Sequence, residues 1–165
     1  GLYLLVRDLA ALGSLRAALD PDYDWTRVES APDDLPLFQL ALGDARRTAQ
    51  SISCTQAIAA DGVLSVGMIA DFEPVLRARG PWFYRRLFWE TGAIGQVLYL
   101  EAEAAGIRAT GIGCFFDDLM HRLLHLQDAR YQSLYHLAMG GPVEDTRIAT
   151  SPAYERQRVT TSRRS

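Results

Sequence analysis

The sequence predicts one domain of mixed helices and strands, organised around a single long helix. A chain of 165 residues is long enough to bury a sizeable core in one domain. No proline interrupts the stretch from Trp82 to Ala105. Within it Phe83, Leu87 and Ile94 recur at roughly helical spacing. Apolar runs of strand-like composition lie before and after this stretch. Together these observations predict a mixed-class fold.

Composition and charge exclude several classes of protein. The formal net charge of -3 provides no general attraction for nucleic acid, so we expect no nucleic-acid partner. No apolar run approaches the roughly 18–20 residues of a membrane span, so we expect no membrane partner. All 17 basic residues are arginine. This excludes mechanisms that need a lysine of this chain, such as a Schiff base.

Cys54 and Cys114 are the two cysteines, and they allow one disulfide at most. Neither has metal-ligand neighbours at zinc-finger spacing. Reduced thiols in a cytoplasmic protein are the default interpretation of such cysteines. We therefore expect free thiols and a cytoplasmic location.

The first forty residues predict a small β-ribbon followed by a helix. The apolar run from Leu2 to Val6 is typical of a strand that is buried on both faces. After the turn-forming residues 20–24, the stretch from Trp25 to Glu29 alternates as an edge strand does. Asp33-Asp34 then suggests the acidic start of a helix over 35–42, because carboxylates are favoured at the positive helix end.

The middle of the chain predicts helix, strand and helix. Residues 44–60 have apolar residues on one helical face, and Asp61-Gly62 ends that pattern. Residues 63–70, VLSVGMIA, are the best candidate for a central strand. Residues 71–79 follow as a short polar helix.

The long helix has a second face of small residues, formed by Gly92, Gly95, Ala102 and Gly106. Glycine inside a helix costs about 1 kcal/mol relative to alanine, so such a pair needs a compensating reason. Close approach of another element and close approach of a flat ligand are both possible reasons, and the spacing alone favours packing. Gly106 also suits the left-handed residue that ends a helix.

Residues 107–116 alternate as a strand and contain Gly111-Ile112-Gly113, followed by Asp117-Asp118 at a helix start. Glycines at a strand end expose backbone amides to any ligand there, although a G-x-G pattern by itself is also typical of a plain turn. In the predicted helix over 118–126, His121 and His125 could share a metal. No third ligand accompanies them, so we interpret them as a polar stripe and expect no metal site.

The last strand is predicted over 131–139, followed by Gly140-Gly141-Pro142. Residues 1–150 are expected to form the single domain, and residues 151–165 a polar, disordered tail. The chain opens without methionine directly in an apolar strand pattern. We therefore expect the domain to be N-terminally incomplete.

The segments WETGAIGQVLYLEAEAAGIRATGIGCFFDD and YQSLYHLAMGGPVEDTR resemble the second half of the nitroreductase family, most closely its SagB-type dehydrogenase branch. The resemblance covers roughly residues 61–154. It implies an α+β fold in which a mixed, mainly antiparallel sheet is flanked by helices. It also implies a dimer with FMN at the subunit interface, either a homodimer or a pseudo-dimer with another nitroreductase-like domain. Such an interface would follow the long helix, which carries Trp82 and Trp89.

The resemblance also implies the cofactor-binding residues. Gly111, Ile112, Gly113 and Cys114 match the segment that lies along the isoalloxazine ring of FMN, where small residues let backbone amides reach the ring. Arg147 matches the basic residue after the last strand that pairs with the FMN phosphate. A guanidinium suits that role because its planar donors can bond two phosphate oxygens at once.

The implied activity is that of an FMN-dependent oxidoreductase that transfers a hydride through flavin N5, with NAD(P)H and a small-molecule or peptide substrate as partners. No catalytic side chain is indicated. The family's N-terminal phosphate motif and its Pro-Ser-Gly segment are absent, and Gly113 stands where classical nitroreductases often have glutamate. The missing phosphate motif supports an alternative, a flavin-free structural or peptide-recognition lobe of a larger biosynthetic protein.

Overall fold

The computed structural model describes residues 1–151, which form two antiparallel three-stranded sheets with helices packed against them. The first sheet has the strand order β1-β3-β2 and the second the order β4-β6-β5. The elements in chain order are β1 Leu2–Leu5, α1 Leu12–Ala18, β2 Thr26–Arg27, β3 Leu37–Ala41, α2 Arg46–Ile52, α3 Ile58–Asp61, β4 Leu64–Asp71, α4 Glu73–Arg79, α5 Phe83–Ala104, β5 Arg108–Ile112, α6 Asp117–Leu124 and β6 Tyr131–Gly140. This arrangement confirms the predicted α+β class.

The first sheet contains the largest error of the sequence-based prediction. The helix predicted over 35–42 is instead β3, the central strand between β1 and β2. Its side chains alternate in burial, with Phe38 and Leu40 in the core. This two-residue period is that of a strand and overrides the acidic start signal. The strand β1 is confirmed, but it is not buried on both faces, because Tyr3 and Leu5 are exposed.

The single helix predicted over 44–60 is also wrong, because the chain breaks between α2 and α3. Cys54 and Thr55 both have a left-handed backbone conformation, with φ values of 52° and 60°. Such values interrupt a helix, and they are uncommon for residues other than glycine. The break places Cys54 beside the end of β5, where it contacts Cys114.

In the second sheet, β6 is the central strand and β4 lies at an edge. The prediction of a strand over 63–70 is confirmed, but its central placement is wrong. The strand β6 pairs with β4 on one side and with β5 on the other, and seven of its ten residues are buried. The more completely buried strand, β6, is therefore the central one, as expected for a strand with neighbours on both sides.

The long helix α5 confirms the element around which the domain was predicted to form. It buries Leu87, Thr91, Gly95 and Ala102 and packs against β5 and β6. It ends with Gly106 at a φ of 73°. The Gly106 amide donates to the Glu103 carbonyl, and the following amide donates to the Ala102 carbonyl, which is the Schellman geometry expected for a glycine after a helix.

The small-residue face of α5 divides into two parts. A Cβ atom added at Gly95 would lie 2.8 Å from a ring carbon of Tyr135, whereas one added at Gly92 would meet nothing within 4 Å. The packing interpretation therefore holds at Gly95, where an aromatic ring approaches the helix backbone.

The helices α4 and α6 confirm the predicted helices over 71–79 and 118–126 within two residues. The main core joins the first sheet to α1, α2, α6 and the start of β6. No helix of residues 1–151 is long and apolar enough to cross a membrane. Nearly all of the predicted tail, residues 152–165, lies outside the described part of the chain.

Candidate functional site

The predicted flavin-binding segment lies at the end of β5, but its residues have different environments. Gly111 and Ile112 are the last two residues of the strand and pair with β6. The Ile112 side chain is 2% exposed and packs with Ala59 and Ala138. Gly113 and Cys114 are exposed. The segment therefore changes from sheet to open surface between residues 112 and 113.

Two tyrosines cover Gly111. Its amide donates a hydrogen bond of 2.5 Å to the Tyr99 hydroxyl. A Cβ atom at Gly111 would lie 2.2 Å from the Tyr135 hydroxyl oxygen, so only glycine leaves room for that side chain. The expected bare backbone is therefore not found at Gly111. It is found at Gly113, where an added Cβ would meet nothing within 4 Å.

The last residue of the segment, Cys114, is bonded to Cys54. The two Cα atoms lie 5.7 Å apart, across 60 residues of sequence. The expectation of free thiols is therefore wrong for this structure. Sequence spacing could not reveal the pairing, because it depends on the break after α2. The expectation of a cytoplasmic location relied on reduced thiols, so the disulfide removes that support.

Arg147 lies in the exposed loop after β6, where it pairs with Asp145. The guanidinium donates from Nε and Nη2 to the two carboxylate oxygens of Asp145, at 2.9 and 2.7 Å. These hydrogen bonds lower the pKa of Asp145 and raise the pKa of Arg147. The hydrogen bonds and ion pairs of Arg147 within residues 1–151 all go to Asp145. Within the described residues, Arg147 therefore makes no hydrogen bond or ion pair with Gly111–Cys114.

Sequence reasoning missed His136, a buried residue in the middle of β6 that pairs with Ile112 at the end of β5. Its ring is stacked on Phe115, with the ring centres 4.2 Å apart, and its Nε2 lies 2.8 Å from the Ser133 hydroxyl. Burial lowers the pKa of His136 from 6.5 to about 4, so the ring is neutral at pH 7. A lone histidine within an apolar strand provides no signal of this environment.

Sequence reasoning also missed Tyr99 and Tyr135, which face each other over Gly111. Burial and the neighbouring Tyr99 raise the pKa of Tyr135. Their spacing of 36 residues gives no indication of contact. Only the packing of α5 on β6 brings the two hydroxyls together.

Two open cavities lie along α6. One, of about 480 Å³, is lined by residues that include His121, His125 and Asp118, and the other, of about 430 Å³, is lined by residues 115–119 and Arg122. Neither is lined by Arg147 or by a residue of the strand end. His121 is half-buried and His125 is exposed. Residues 1–151 contain no group of three or more side chains placed to hold a metal ion.

Comparison with known proteins gives one family and several similar structures. The profile of the nitroreductase family matches residues 21–141. No curated protein matches the chain significantly. A protein assigned as a nitroreductase from Anabaena variabilis is 26% identical, with a TM-score of 0.61 over 66% of this chain. The match covers 23% of the Anabaena chain.

A second similar structure comes from Exiguobacterium sibiricum, a protein assigned as a nitroreductase and solved in complex with FMN. It is 13% identical and has a TM-score of 0.49, with 92% of this chain and 96% of that chain covered. A third comes from Staphylococcus epidermidis, a protein assigned as an NAD(P)H:FMN oxidoreductase. It is 12% identical and has a TM-score of 0.49, with 67% and 68% covered.

Proposed function

Because this chain belongs to the nitroreductase family, we propose that it is a domain of an FMN-dependent oxidoreductase. When bound, FMN supplies two-electron chemistry, in which a hydride from NAD(P)H or an organic substrate is transferred through flavin N5. The observation that carries the proposal is the family match over residues 21–141, which include the strand end Gly111–Cys114. The chain spans about a quarter of the Anabaena protein, so the activity of a complete protein is part of the proposal.

The strand end fits a planar cofactor at Gly113. The backbone is open there, and the side chain of the preceding residue, Ile112, is buried and anchors the strand. An aromatic ring can lie against such a backbone without a side chain between them, and nearby amides would favour negative charge on the ring. Gly111 has a different role in this proposal, because Tyr99 already accepts a hydrogen bond from its amide. We propose that Gly111 fixes the end of β5 so that Gly113 is correctly placed.

Arg147 could bind a phosphate if the phosphate replaced Asp145 as the partner of its guanidinium. Its planar fork already binds a carboxylate through two hydrogen bonds, which is the geometry that a phosphate also accepts. The Arg147 side chain is 88% exposed and that of Asp145 is 30% exposed. Ion pairs at the surface are weak, so a phosphate can compete with Asp145. We propose that Arg147 holds the FMN phosphate in this way.

An exposed apolar face along α5, different from the small-residue face, supports assembly into a dimer. Trp82, Trp89, Val97 and Leu100 are between 55% and 63% exposed. Nitroreductases are typically dimeric, and an apolar face of this kind marks an interaction site. We propose that a second copy, or a second nitroreductase-like domain, covers this face. Trp89→Glu should then lower the sedimentation coefficient of the assembled protein. An unchanged coefficient that corresponds to a dimer would exclude this face as the interface.

Within the family, the motifs around α5, β5 and β6 favour the SagB-type dehydrogenase branch. We propose a small-molecule or peptide substrate. Azole-forming members of that branch are associated with a lysine–tyrosine pair, and this sequence contains no lysine. We therefore do not propose ring dehydrogenation of peptides for this chain.

The second candidate function is a flavin-free structural or peptide-recognition lobe of a larger protein. Two observations favour it. The Gly111 amide is already bonded to Tyr99, and the Arg147 guanidinium is already bonded to Asp145. Such a lobe would keep the fold and lack the cofactor.

Titration of the purified protein with FMN separates the two candidates. Arg147→Gln should raise the dissociation constant for FMN by about tenfold or more, because a charged hydrogen bond is lost. Arg46→Gln is the control, since Arg46 also pairs with an aspartate two residues earlier, Asp44, through one side-chain hydrogen bond. Equal effects of the two variants would remove Arg147 from the site. A folded protein that takes up no FMN would favour the flavin-free lobe.

A further inference from the structure

Three links tie the chain after β5 to the corner between α2 and α3. The disulfide joins Cys114 to Cys54. The Gln56 side chain donates to the Cys114 carbonyl at 3.2 Å and also to the Ser53 carbonyl at 3.0 Å. The Phe116 amide donates to the Ile52 carbonyl at 2.8 Å. One of the three links is covalent, and it lies directly after the open backbone of Gly113.

The two sulfur-bearing residues differ in their accessibility. Cys114 is exposed, whereas Cys54 is half-buried at the break in the helical segment. Since Cys114 is the more exposed residue, we expect a thiolate from solvent to attack the disulfide at Cys114. Accessible disulfides are the class that takes part in exchange, because access controls which sulfur is attacked.

We propose that Cys54 and Cys114 form a thiol–disulfide exchange site that controls the order of the strand end at Gly113. The chemical class of its reaction partner is a dithiol, either a small molecule or a protein with two neighbouring cysteines. This assignment comes from the covalent link, its exposure and its position beside Gly113.

The exchange proceeds in two steps, in each of which one disulfide bond forms as another breaks. A thiolate of the partner attacks the Cys114 sulfur, the bond between the two cysteines breaks, and Cys54 leaves as a thiolate that takes a proton from water. The second thiol of the partner then attacks the mixed disulfide and releases Cys114. Two electrons pass from the dithiol, which becomes a disulfide, to the two cysteines.

Reduction leaves residues 113–116 held by the hydrogen bonds from Gln56 and Phe116 and by the stacking of Phe115 on His136. Residues 113–116 form neither helix nor strand, and α6 begins at Asp117. We expect Gly113 and Cys114 to open more often once the covalent link is lost, because both residues are exposed and exposed segments open at low cost.

The effect on flavin rests on the proposed function. If Gly113 faces FMN, the disulfide form holds the backbone in place before binding and so avoids the cost of ordering it. The reduced form should then bind FMN more weakly, by about fivefold or more, which is a typical coupling between two sites.

The first experiment uses the full chain, purified without reductant, and tests the exchange without any cofactor. Alkylation under native conditions should label no cysteine before treatment with dithiothreitol and both cysteines afterwards, as measured by intact mass. Hydrogen exchange of the peptide that contains residues 111–116 should become faster after reduction. The variant with Cys54→Ser and Cys114→Ser should show the faster exchange and no response to dithiothreitol.

Each result decides the proposal. Two free thiols before treatment, a disulfide that is reduced only after denaturation, or unchanged hydrogen exchange after reduction would each overturn it. FMN titration of both redox forms is the second arm. A protein that binds no FMN in either form contradicts the proposed function, while the hydrogen-exchange result still decides the exchange site.

Discussion

Gly111 and Gly113 are separated by one residue, but different physical reasons account for them. The Tyr135 hydroxyl occupies the space where a Gly111 side chain would begin. Gly113 has open space around it. A pattern of two glycines in sequence therefore contains one packing position and one open position, and spacing cannot distinguish them.

We predict that Gly111→Ala destabilises the protein by about 1–3 kcal/mol, because overpacking forces neighbours to move. The new Cβ would lie 2.2 Å from the Tyr135 oxygen and 3.5 Å from the Tyr99 oxygen. Urea unfolding measures the difference. Gly113→Ala is the control and should change the free energy of unfolding by less than about 0.5 kcal/mol. Tyr135→Phe should restore part of the loss in Gly111→Ala, and a double variant that is no more stable would contradict the assigned contact.

His136 predicts a pH dependence of stability. Its pKa is about 4 in the folded protein and 6.5 ordinarily, so the unfolded chain takes up the proton first as the pH falls. The free energy of unfolding should therefore decrease as the pH falls through this window, by up to about 3 kcal/mol between pH 7 and pH 4. Above pH 6.5 the contribution should be constant.

Urea unfolding of His136→Gln across this pH range tests the assignment. The variant should lose part of the pH dependence, since glutamine does not titrate and can still bond the Ser133 hydroxyl. His125→Gln is the control at an exposed position and should keep the dependence of the parent. An equal loss in both variants would show that His136 is not the group responsible.

At the scale of elements, the small-residue face of α5 is packed at one glycine and open at another. Gly95 is close to the Tyr135 ring, whereas Gly92, three residues earlier on the helix, has open space around its Cα. The helix was predictable because its apolar residues recur over six turns without proline. Its contacts were not, because the position of Tyr135 depends on the pairing of β6.

We predict opposite effects for alanine at these two glycines. Gly92→Ala should raise the free energy of unfolding by about 0.5–1 kcal/mol, because alanine favours a helix and nothing obstructs its side chain. Gly95→Ala should lower the free energy of unfolding, because its Cβ would lie 2.8 Å from the Tyr135 ring. Thermal and urea unfolding of the two variants provide the comparison. Stabilisation by both substitutions would contradict the close packing of α5 on β6.

At the scale of the whole molecule, the disulfide closes a loop of 60 residues that contains α3, β4, α4, α5 and β5. Such a cross-link stabilises a protein mainly by restricting the unfolded chain, and the effect grows with loop length. The pair thus joins the corner after α2 to the end of the second sheet.

We predict that reduction lowers the free energy of unfolding by up to about 4 kcal/mol, the loop-closure value for this separation. Urea unfolding with and without dithiothreitol measures the change. The double serine variant should resemble the reduced protein and should not respond to dithiothreitol. Equal stability of the oxidised and reduced parent protein would show that the loop is already restricted without the disulfide.

The sequence by itself determined which stretches form most of the elements, since periodicity, helix-ending glycine and apolar runs act locally. It also indicated the family, through motifs around α5, β5 and β6. Only the tertiary structure decided that β3 is a strand, that β6 is central, and that Cys54 meets Cys114. It also decided that tyrosines 36 residues apart cover Gly111. The physical reason is that burial, strand order and cross-links depend on contacts between residues far apart in the chain. The local sequence pattern does not determine those contacts.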